Sequence, residues 1–407
     1  MTAPSQTTSS KKTSPENPVF STPSAASNSS SASSTSSISS AASVSFTYID
    51  SKEPLEHAAS AWEQEPVLGI DTESENNLHH YGAYISIIQV AGRRRQWIVD
   101  VLALPEVKPL LAIFENRAIQ KIFHNADSDL RVIYNQFGCR VQNIFDTQTA
   151  ALLLGIEDIG LGALLEQFFN VQKKQKFQTA DWTRRPLPPE LLSYAVKDTL
   201  YLIRLRDLFL EKLMKLNRLS WAQEEFAATE HQTFNHQEPS YTDIKGIGYL
   251  TDRERAIAKC LFLLREEFAR KVDRPVYYVM NTKILKDLAM HPPKTRKAWE
   301  TMRGVHPIVR KEAQRFFSEV AKGKEERLPH PVTKTRRYTG EQKKQFQKLE
   351  RVRSAVAGKA GIQSYLILSK EQMRDIVLQG DSPTLRDWQR RLVGEHIPSL
   401  KRKTIPS

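Results

Sequence analysis

Two carboxylates end an apolar run of this chain, in the stretch Val67-Leu68-Gly69-Ile70-Asp71-Thr72-Glu73. Residues two apart in a β-strand point to the same face, so Asp71 and Glu73 project together from a strand that otherwise has a buried composition. Two like charges side by side raise the free energy of the folded state unless a positive charge lies between them. A bound divalent metal ion is one such charge. A solvated strand end is the simpler interpretation, and further carboxylates elsewhere in the chain decide between the two.

Composition narrows the class of protein. The chain has 407 residues, enough for about two to four domains of the usual ~100–200 residues. Its two cysteines, Cys139 and Cys260, have no Cys or His neighbours at metal-ligand spacing, which argues against a disulfide framework or a zinc site and fits a reducing compartment. No apolar run reaches the ~18 residues that cross a bilayer, and the N-terminus lacks the pattern of a secretory signal. We therefore expect a cytoplasmic protein with no membrane partner.

Charge is unevenly distributed along the chain. Lys and Arg exceed Asp and Glu by 13 overall. Residues 231–407 hold 37 basic and 20 acidic side chains, a net charge of +17, whereas residues 1–230 have a net charge of −4. A strongly basic half commonly binds a polyanion such as nucleic acid. A solvated basic surface that aids solubility is the alternative.

Local composition divides the chain into segments. Residues 1–45 are dominated by Ser, Ala, Thr and Pro and cannot bury enough apolar surface to offset chain entropy, so we expect a disordered tail. A transit peptide is the weaker interpretation because this segment has no Arg. A globular pattern occupies residues 46–230. Helical patterns occupy 241–323 and 341–400, with a linker rich in Lys, Arg and Pro at 324–340.

The region 46–230 mixes strand and helix patterns. Apolar runs of strand length lie at 67–72, 84–91, 96–101 and 121–124, and Gly92-Arg93-Arg94-Arg95 is typical of a hairpin turn. Helical spacing marks 54–63, 104–114, 129–137, 146–154, 161–168 and 189–213. The first strands follow one another closely, and strand–helix alternation comes later. This order predicts an α/β domain with a mixed, partly antiparallel sheet flanked by helices.

Beyond residue 241 strand patterns nearly vanish. Helical patterns lie at 252–270, 282–289, 294–302 and 307–321. Asn281 is a candidate N-cap, and a helix is expected to end at Gly323. Patterns at 341–358, 369–377 and 384–392 repeat the same order. Each set includes a helix with a tryptophan, Trp299 in the first and Trp388 in the second, so we infer two small all-α bundles related by duplication.

Further acids accompany the first pair. The helix that follows the 121–124 strand begins with Asp127 and Asp129, and the helix from residue 189 carries Tyr194 and Asp198 on one face. Asp127 is expected to cap its helix. Four acids from separate elements can converge on one cleft, where carboxylate oxygens suit Mg²⁺ or Mn²⁺ better than Zn²⁺. Two such ions about 4 Å apart can activate a water and stabilise a leaving oxygen in phosphodiester cleavage.

The order of these residues resembles that of a known group of nucleases. The order Asp71-x-Glu73, Asp129, Tyr194-x-x-x-Asp198 is similar to the tyrosine-bearing branch of the DEDD exonuclease superfamily. Four neighbouring segments resemble the ribonuclease D family: Ile87-Ile88-Gln89, His124-Asn125-Ala126-Asp127-Ser128-Asp129-Leu130, Phe145-Asp146-Thr147 and Asp181-Trp182-Thr183-Arg184-Arg185-Pro186-Leu187. Residues 265–289 resemble the HRDC helical domain, which that family carries in tandem. The resemblance covers about residues 47–400.

The resemblance implies a ribonuclease H-like exonuclease domain followed by two HRDC bundles. It implies hydrolysis of RNA from the 3′ end to nucleoside 5′-monophosphates, with two Mg²⁺ or Mn²⁺ ions as cofactors and transfer RNA precursors as the typical substrate. The metal ligands implied by position are Asp71, Glu73, Asp129 and Asp198. Tyr194 is implied to orient or help deprotonate the attacking water. Asp129 is chosen over Asp127 because the family's acid stands directly before the apolar residue of that helix.

The roles of several other polar, basic and aromatic residues have more than one interpretation. Gln89 and His124 are candidates for substrate contact or support of the ligands, with a satisfied buried polar group as the alternative. Lys and Arg of the helical bundles are expected to bind RNA phosphates with little sequence preference. Tyr277, Tyr278 and Trp299 offer stacking faces where they are exposed and core packing where they are buried. The arginines at 93–95 either contact substrate or form an exposed hairpin tip.

Two other functions compete with this interpretation. A DNA exonuclease would use the same catalytic residues, although the chain has no helicase or polymerase motif and lacks a Gly-rich Walker loop. A nucleic-acid-binding scaffold with an inactive nuclease domain would lack a carboxylate, whereas all four acids and the tyrosine are present. We therefore predict a monomeric 3′–5′ exoribonuclease that binds single-stranded 3′ ends of RNA.

Overall fold

The chain folds into a sheet-containing domain followed by helices. The computed structural model describes residues 45–172, 177, 179–234, 239–328 and 338–400. Residues 1–44 of the disordered tail predicted for 1–45, and residues 329–337 of the linker predicted for 324–340, lie outside these residues. Within the described part of the chain, no helix combines the length and hydropathy needed to cross a bilayer.

One six-stranded sheet forms the centre of the first domain. Its strands are β1 Thr47–Ile49, β2 Val67–Asn76, β3 Ala83–Ala91, β4 Gln96–Asp100, β5 Gln120–Phe123 and β6 Ile144–Asp146. Their order across the sheet is β1-β4-β3-β2-β5-β6. Strands β2, β3 and β4 pair antiparallel, whereas β1, β5 and β6 join by parallel pairing. The mixed, partly antiparallel sheet is confirmed, and β1 and β6 are additional to the predicted strands.

Eight helices accompany the sheet in the described residues. They are α1 Lys52–Trp62, α2 Lys108–Glu115, α3 Ala126–Phe137, α4 Thr147–Leu153, α5 Leu161–Phe169, α6 Pro189–Leu200, α7 Leu202–Lys215 and α8 Leu219–Glu230. The single helix predicted at 189–213 is broken at Tyr201 into α6 and α7. Helix α6 covers one face of the sheet, where its Ala195 packs in a cluster with Ile87 of β3 and Ile98 of β4. This packing fixes the position of the polar residues that α6 also carries.

The rest of the described chain is helical. The first bundle comprises α9 Asp252–Val272, α10 Val276–Val279, α11 Thr282–Met290, α12 Arg296–Glu300, α13 Pro307–Lys311 and α14 Ala313–Glu325. The second comprises α15 Gly340–Ala360, α16 Ser364–Ile367, α17 Lys370–Gln379 and α18 Asp387–Gly394. Short 3₁₀ helices lie at Tyr241–Asp243, Ile247–Tyr249 and Pro398–Leu400.

Two local predictions for the first bundle have opposite outcomes. Asn281 caps α11 as predicted, since its side chain accepts a hydrogen bond of 2.9 Å from the N–H of Ile284. The helix end predicted at Gly323 is wrong, because α14 continues to Glu325. A Cβ at Gly323 would lie 3.1 Å from Cα of Ile257 in α9. The glycine therefore permits close packing of two helices and does not end one.

The two bundles begin in the same way, as the predicted duplication requires. Helices α9 and α15 each have 21 residues, and each starts with a capping box, formed by Thr251 with Glu254 and by Thr339 with Gln342. A four-residue helix follows each of them. The tryptophans that mark the two bundles are both buried core residues.

The second bundle shares a hydrophobic core with the first domain. Its buried Leu349 and Ile367 belong to the same cluster as the buried residues of the sheet. Arg218, just before α8, donates hydrogen bonds to the carbonyls of Leu153 and of Ala360 at the end of α15. These contacts join the second bundle to the first domain by both apolar packing and hydrogen bonds.

Candidate active site

Three carboxylates meet where β2 passes beneath α6. One oxygen each from Asp71, Glu73 and Asp198 lies within 4.8 Å of the other two. Alternation along β2 puts Asp71 and Glu73 on one face, and α6 packs on that face and brings Asp198 to it. Three negative charges this close repel one another unless a cation lies among them. Hard carboxylate oxygens of this kind fit a divalent ion such as Mg²⁺ or Mn²⁺.

Asp129 approaches β2 from the side of Thr72. The hydroxyl Oγ1 of Thr72 donates to Oδ1 of Asp129 at 2.5 Å. Asp129 is buried, and this burial raises the pKa of its carboxyl group to about 6. Among the described residues, Asp129 is not a member of the three-carboxylate group. Its role as a metal ligand therefore stays a prediction.

A different acid from the predicted one caps the helix that carries Asp129. The carboxylate of Asp146 accepts hydrogen bonds of 2.9 Å from the N–H groups of Asn125 and Gln148. It therefore holds the starts of α3 and α4 together. The cap predicted for Asp127 is wrong, because Asp127 lies inside the first turn and forms an ion pair with Arg131 at 2.9 Å.

Tyr194 lies beside the three carboxylates. Its hydroxyl is hydrogen-bonded to Asp198, one turn further along α6. Burial raises the pKa of Tyr194 well above its ordinary value, and the charges of Asp198, Glu73 and Asp71 raise it further. The hydroxyl therefore stays protonated at neutral pH and donates to Asp198. Its ring meets that of Phe177 edge-on, with 5.6 Å between the ring centroids.

An open cavity of about 430 Å³ adjoins these groups. Its lining residues are Asp71, Thr72, Glu73, His124, Asp158, Gly160, Leu161, Gly162, Ala163, Tyr194 and Asp198. The sequence did not single out Asp158 or the first turn of α5. The signal available there was Gly160 directly before an apolar helix, which predicts a helix start but not the cavity that the helix faces.

His124 lines this cavity in a fixed orientation. Its Nδ1 lies 2.9 Å from Oγ1 of Thr147, whose hydroxyl donates to the carbonyl of Phe123 at 3.0 Å. Because that hydroxyl has one proton, we assign the imidazole proton to Nδ1 as donor to Thr147. The ring edge is thereby held relative to the three carboxylates. Gln89, the other candidate of this group, lies opposite Asp71 on β3 and is fully buried.

A clamp between Arg185 and the buried Asp100 holds the 181–187 loop against the sheet. Arg185 donates from Nε and Nη2 to the two oxygens of Asp100, each at 2.6 Å, and the Tyr48 hydroxyl donates to Asp100 at 2.5 Å. Burial alone would raise the pKa of Asp100, but these hydrogen bonds hold it below its usual value. The loop also carries Trp182, whose ring centroid is 6.2 Å from that of Tyr194. The clamp thus supports the side of the site where Tyr194 lies.

The loop at 77–82, which follows β2, contacts the first helical bundle. Nδ1 of His80 lies 2.6 Å from Oδ2 of Asp273, at the end of α9. The guanidinium of Arg270 lies over the ring of Tyr81, 5.2 Å from its centroid. The strand that carries two of the acids therefore leads directly into a contact with this bundle.

The aromatic and basic candidates divide between core and surface. Trp299 is fully buried and belongs to the core, whereas Tyr277 and Tyr278 are about half exposed. The hairpin turn at 92–95 is confirmed by a hydrogen bond of 2.9 Å from the N–H of Gly92 to the carbonyl of Arg95. Arg93 forms an ion pair with Asp207 at 2.8 Å, so part of its charge is satisfied within the domain.

Comparison with known proteins gives two domain families. A model described as a 3′–5′ exonuclease matches residues 46–214, and one described as an HRDC domain matches residues 254–320. A ribonuclease D of Sphingobium indicum is 31% identical over 247 residues, which span 59% of this chain and 63% of that protein. A ribonuclease D of Nitrobacter hamburgensis is 28% identical over 354 residues, which span 83% of this chain and 90% of that protein.

A solved structure shares the fold. The crystal structure of Escherichia coli RNase D, described as an exoribonuclease involved in structured RNA processing, matches with a TM-score of 0.68 and 22% identity. The match covers 89% of this chain and 100% of that chain. The arrangement of an exonuclease domain and following helical bundles is therefore common to both. Taken with the two domain matches, it shows that the chain carries a 3′–5′ exonuclease domain followed by an HRDC domain and is similar to ribonuclease D over most of its length.

Proposed function

We propose that the chain removes nucleotides one at a time from the 3′ end of RNA and releases nucleoside 5′-monophosphates. Its proposed substrates are precursors of transfer RNA and other structured RNAs with a single-stranded 3′ end. The observation that carries this proposal is the convergence of Asp71, Glu73 and Asp198 beside Tyr194 on an open cavity. The resemblance of the whole described chain to ribonuclease D supports RNA as the substrate.

The donor set supports a pair of divalent cations as cofactors. Asp71, Glu73 and Asp198 would hold one ion, and Asp129 together with Asp71 would hold a second. When bound, two Mg²⁺ or Mn²⁺ ions supply an activated water and a counter-charge for the leaving 3′ oxygen. The carboxylates in turn would be freed from the mutual repulsion that their spacing imposes.

The other residues of the cavity would position the substrate and the water. Tyr194 would orient the attacking water, because its hydroxyl is protonated and already fixed by Asp198. His124 would contact the terminal nucleotide from the cavity wall, where Thr147 holds its ring. The excess of Lys and Arg in residues 231–407 would bind RNA phosphates upstream of the 3′ end, so binding should weaken steeply as salt rises.

A cleavage assay on a transfer RNA precursor tests the proposal. The full chain is incubated with a 5′-labelled precursor that carries a 3′ extension, in Mg²⁺, in Mn²⁺ and in EDTA. We expect a ladder that shortens from the 3′ end in metal alone, with nucleoside 5′-monophosphates as products. Asp71→Asn should abolish cleavage and leave RNA binding in EDTA unchanged, because a ligand is lost and the fold is not.

Several outcomes would contradict the proposal. A wild-type chain that is inert in both metals on several RNAs would overturn the activity. Faster degradation of a DNA oligonucleotide than of the matched RNA would make DNA the substrate. Activity retained in Asp71→Asn would overturn the site assignment.

The proposed working form is a cytoplasmic monomer. Light scattering coupled to gel filtration of the full chain should give the mass of one chain, 46.5 kDa. A mass of two or more chains at micromolar concentration would contradict it.

A further inference from the structure

Gln89 is a buried polar side chain that packing alone does not explain. It is 0% exposed. Neither its Nε2 nor its Oε1 has a hydrogen-bond partner among the described residues. A buried carboxamide without partners destabilises a fold relative to an apolar side chain of the same size. The presence of glutamine here therefore points to a hydrogen bond that forms only when the neighbouring site is occupied.

The register of the sheet places this amide next to the catalytic acids. Gln89 of β3 lies directly opposite Asp71 of β2 on one side and Ile98 of β4 on the other. Directly opposite residues of antiparallel strands project to the same face, with Cβ atoms about 4.5–5.5 Å apart. That face is the one α6 covers, where Ile87 and Ile98 belong to an apolar cluster. Asp71 is thus the acidic residue directly opposite a buried amide in otherwise apolar surroundings.

We infer that Gln89 is a positioning residue: when a divalent cation binds the three carboxylates, the carboxamide N–H of Gln89 donates to Asp71 and fixes the orientation in which that carboxylate faces the ion. This inference rests on the proposed function. A carboxylate has about four lone-pair sites, so Asp71 can accept from Gln89 and still ligate a cation. Ligating carboxylates are commonly held by such hydrogen bonds, and loss of one typically lowers metal affinity or activity about 10–100-fold.

The chemistry of the side chain fits this role better than its charged alternatives. A lysine at this position would neutralise Asp71 and compete with the cation. An ionised glutamate would add a fourth negative charge and could not donate. A neutral amide donates a hydrogen bond and leaves the negative charge of the three carboxylates for the metal.

The test compares metal binding and stability in the full chain. Gln89→Met keeps the size of the side chain and removes the donor, and Gln89→Leu repeats the test with a branched apolar side chain. Ile98→Val is the matched control, because it disturbs the neighbouring buried position on the same face. Mn²⁺ affinity is measured by electron paramagnetic resonance of the free ion. Stability is measured by thermal unfolding in EDTA. Turnover is measured as kcat and KM on a 3′-extended RNA.

The positioning role predicts a specific combination of results. Gln89→Met should bind Mn²⁺ about 10–100-fold more weakly, with kcat lowered and KM for RNA unchanged. Its unfolding temperature in EDTA should not fall, because the lost amide has no partner in the metal-free chain. Ile98→Val should lower the unfolding temperature and leave Mn²⁺ affinity unchanged.

Other results overturn the inference. If Gln89→Met and Gln89→Leu bind Mn²⁺ like the wild type while Asp71→Asn does not bind it, Gln89 has no positioning role and the proposed function stands. A Gln89→Met chain that is less stable in EDTA but binds Mn²⁺ normally assigns Gln89 to the core. A wild-type chain that binds no Mn²⁺ overturns both the inference and the proposed function.

Discussion

Trp388 of α18 stacks on Trp221 of α8, with ring centroids 4.8 Å apart and ring planes at 15°. Nε1 of Trp388 also donates to Glu225 of α8 at 2.8 Å. Helix α8 is the last helix before the first bundle, whereas α18 belongs to the second. The second bundle thus completes the core of the exonuclease domain, although the first bundle separates the two in sequence.

Removal of the Trp388 side chain should destabilise the protein strongly. Trp388 is 1% exposed, so Trp388→Ala leaves a cavity and should lower the free energy of unfolding by about 3–5 kcal/mol. Urea unfolding followed by circular dichroism measures this difference. Tyr249→Ala is the control, because Tyr249 is 95% exposed and its loss should change the free energy by less than about 0.5 kcal/mol. Equal effects of the two substitutions would mean that the second bundle is not part of the core.

The hydroxyl of Tyr194 should matter for turnover and not for binding. Tyr194→Phe keeps the buried ring and removes the group that donates to Asp198. We expect kcat to fall about 10²–10⁴-fold, the usual range for a group that positions or transfers a proton. RNA affinity in EDTA should be unchanged. Tyr201→Phe, at the break between α6 and α7, is the control and should have a kcat near that of the wild type. A normal kcat in Tyr194→Phe would remove the tyrosine from the mechanism.

The clamp between Arg185 and Asp100 should be a major source of stability. Asp100 has a 2% exposed side chain, so Arg185→Met leaves a buried carboxylate without its cation and should lower the free energy of unfolding by about 3–5 kcal/mol. The neighbouring Arg184 is exposed, and Arg184→Met should change stability little. Denaturant unfolding of the two variants at pH 7 provides the comparison. Similar stability of the two would contradict the clamp.

The same clamp predicts a dependence on acid. The folded-state pKa of Asp100 lies below its ordinary value because of Arg185 and Tyr48. The stabilisation is therefore fully present above the ordinary pKa of an aspartate, about 4, and is lost as pH falls through the lowered folded-state value. Stability curves of wild type and Arg185→Met should converge as pH falls from 5 toward 2. A difference that stays constant over this range would refute the linkage.

Lys121 should give a second pH dependence of the same sign, in the alkaline range. It is 0% exposed and donates to the carbonyls of Asn116 and Ile119 at 2.6 and 2.7 Å. Burial lowers the pKa of Lys121 to about 8. Between pH 8 and the ordinary pKa of a lysine, the Lys121 side chain is protonated in the unfolded chain and largely neutral in the folded chain. The free energy of unfolding therefore rises with pH over this range. Relative to Lys121→Met, the wild type should gain about 2–3 kcal/mol between pH 8 and 10. Parallel pH profiles of the two chains would contradict this.

Elements with a strong hydrophobic period could be predicted from the sequence, and short or interrupted ones could not. The four strands with apolar runs are present. Strands β1 and β6 have three residues each, too few for alternation to appear. The break at Tyr201 has no proline or glycine to mark it, since the apolar spacing continues from α6 into α7. Such features depend on tertiary packing, which overrides local propensity.

In the candidate site, too, some features could be predicted from the sequence and others could not. Asp71 and Glu73 share a face because of strand alternation. Tyr194 and Asp198 share a face because of helical spacing. Both pairs could therefore be predicted from the local sequence. The capping role of Asp146 could not, because its partner Asn125 is 21 residues away along the chain. Asp158 enters the cavity through the path of a loop, for which the sequence has no periodic signal.

The contacts of the 77–82 loop have a consequence for domain exchange. His80 and Tyr81 belong to the exonuclease domain in sequence, yet they pair with Asp273 and Arg270 of the first helical bundle. A chimaera that replaces this bundle at the 231–240 boundary would leave both side chains facing a foreign surface. Grafting a bundle from a relative should therefore require its own version of this loop, and the loop sequence is then a practical marker of which bundles are interchangeable.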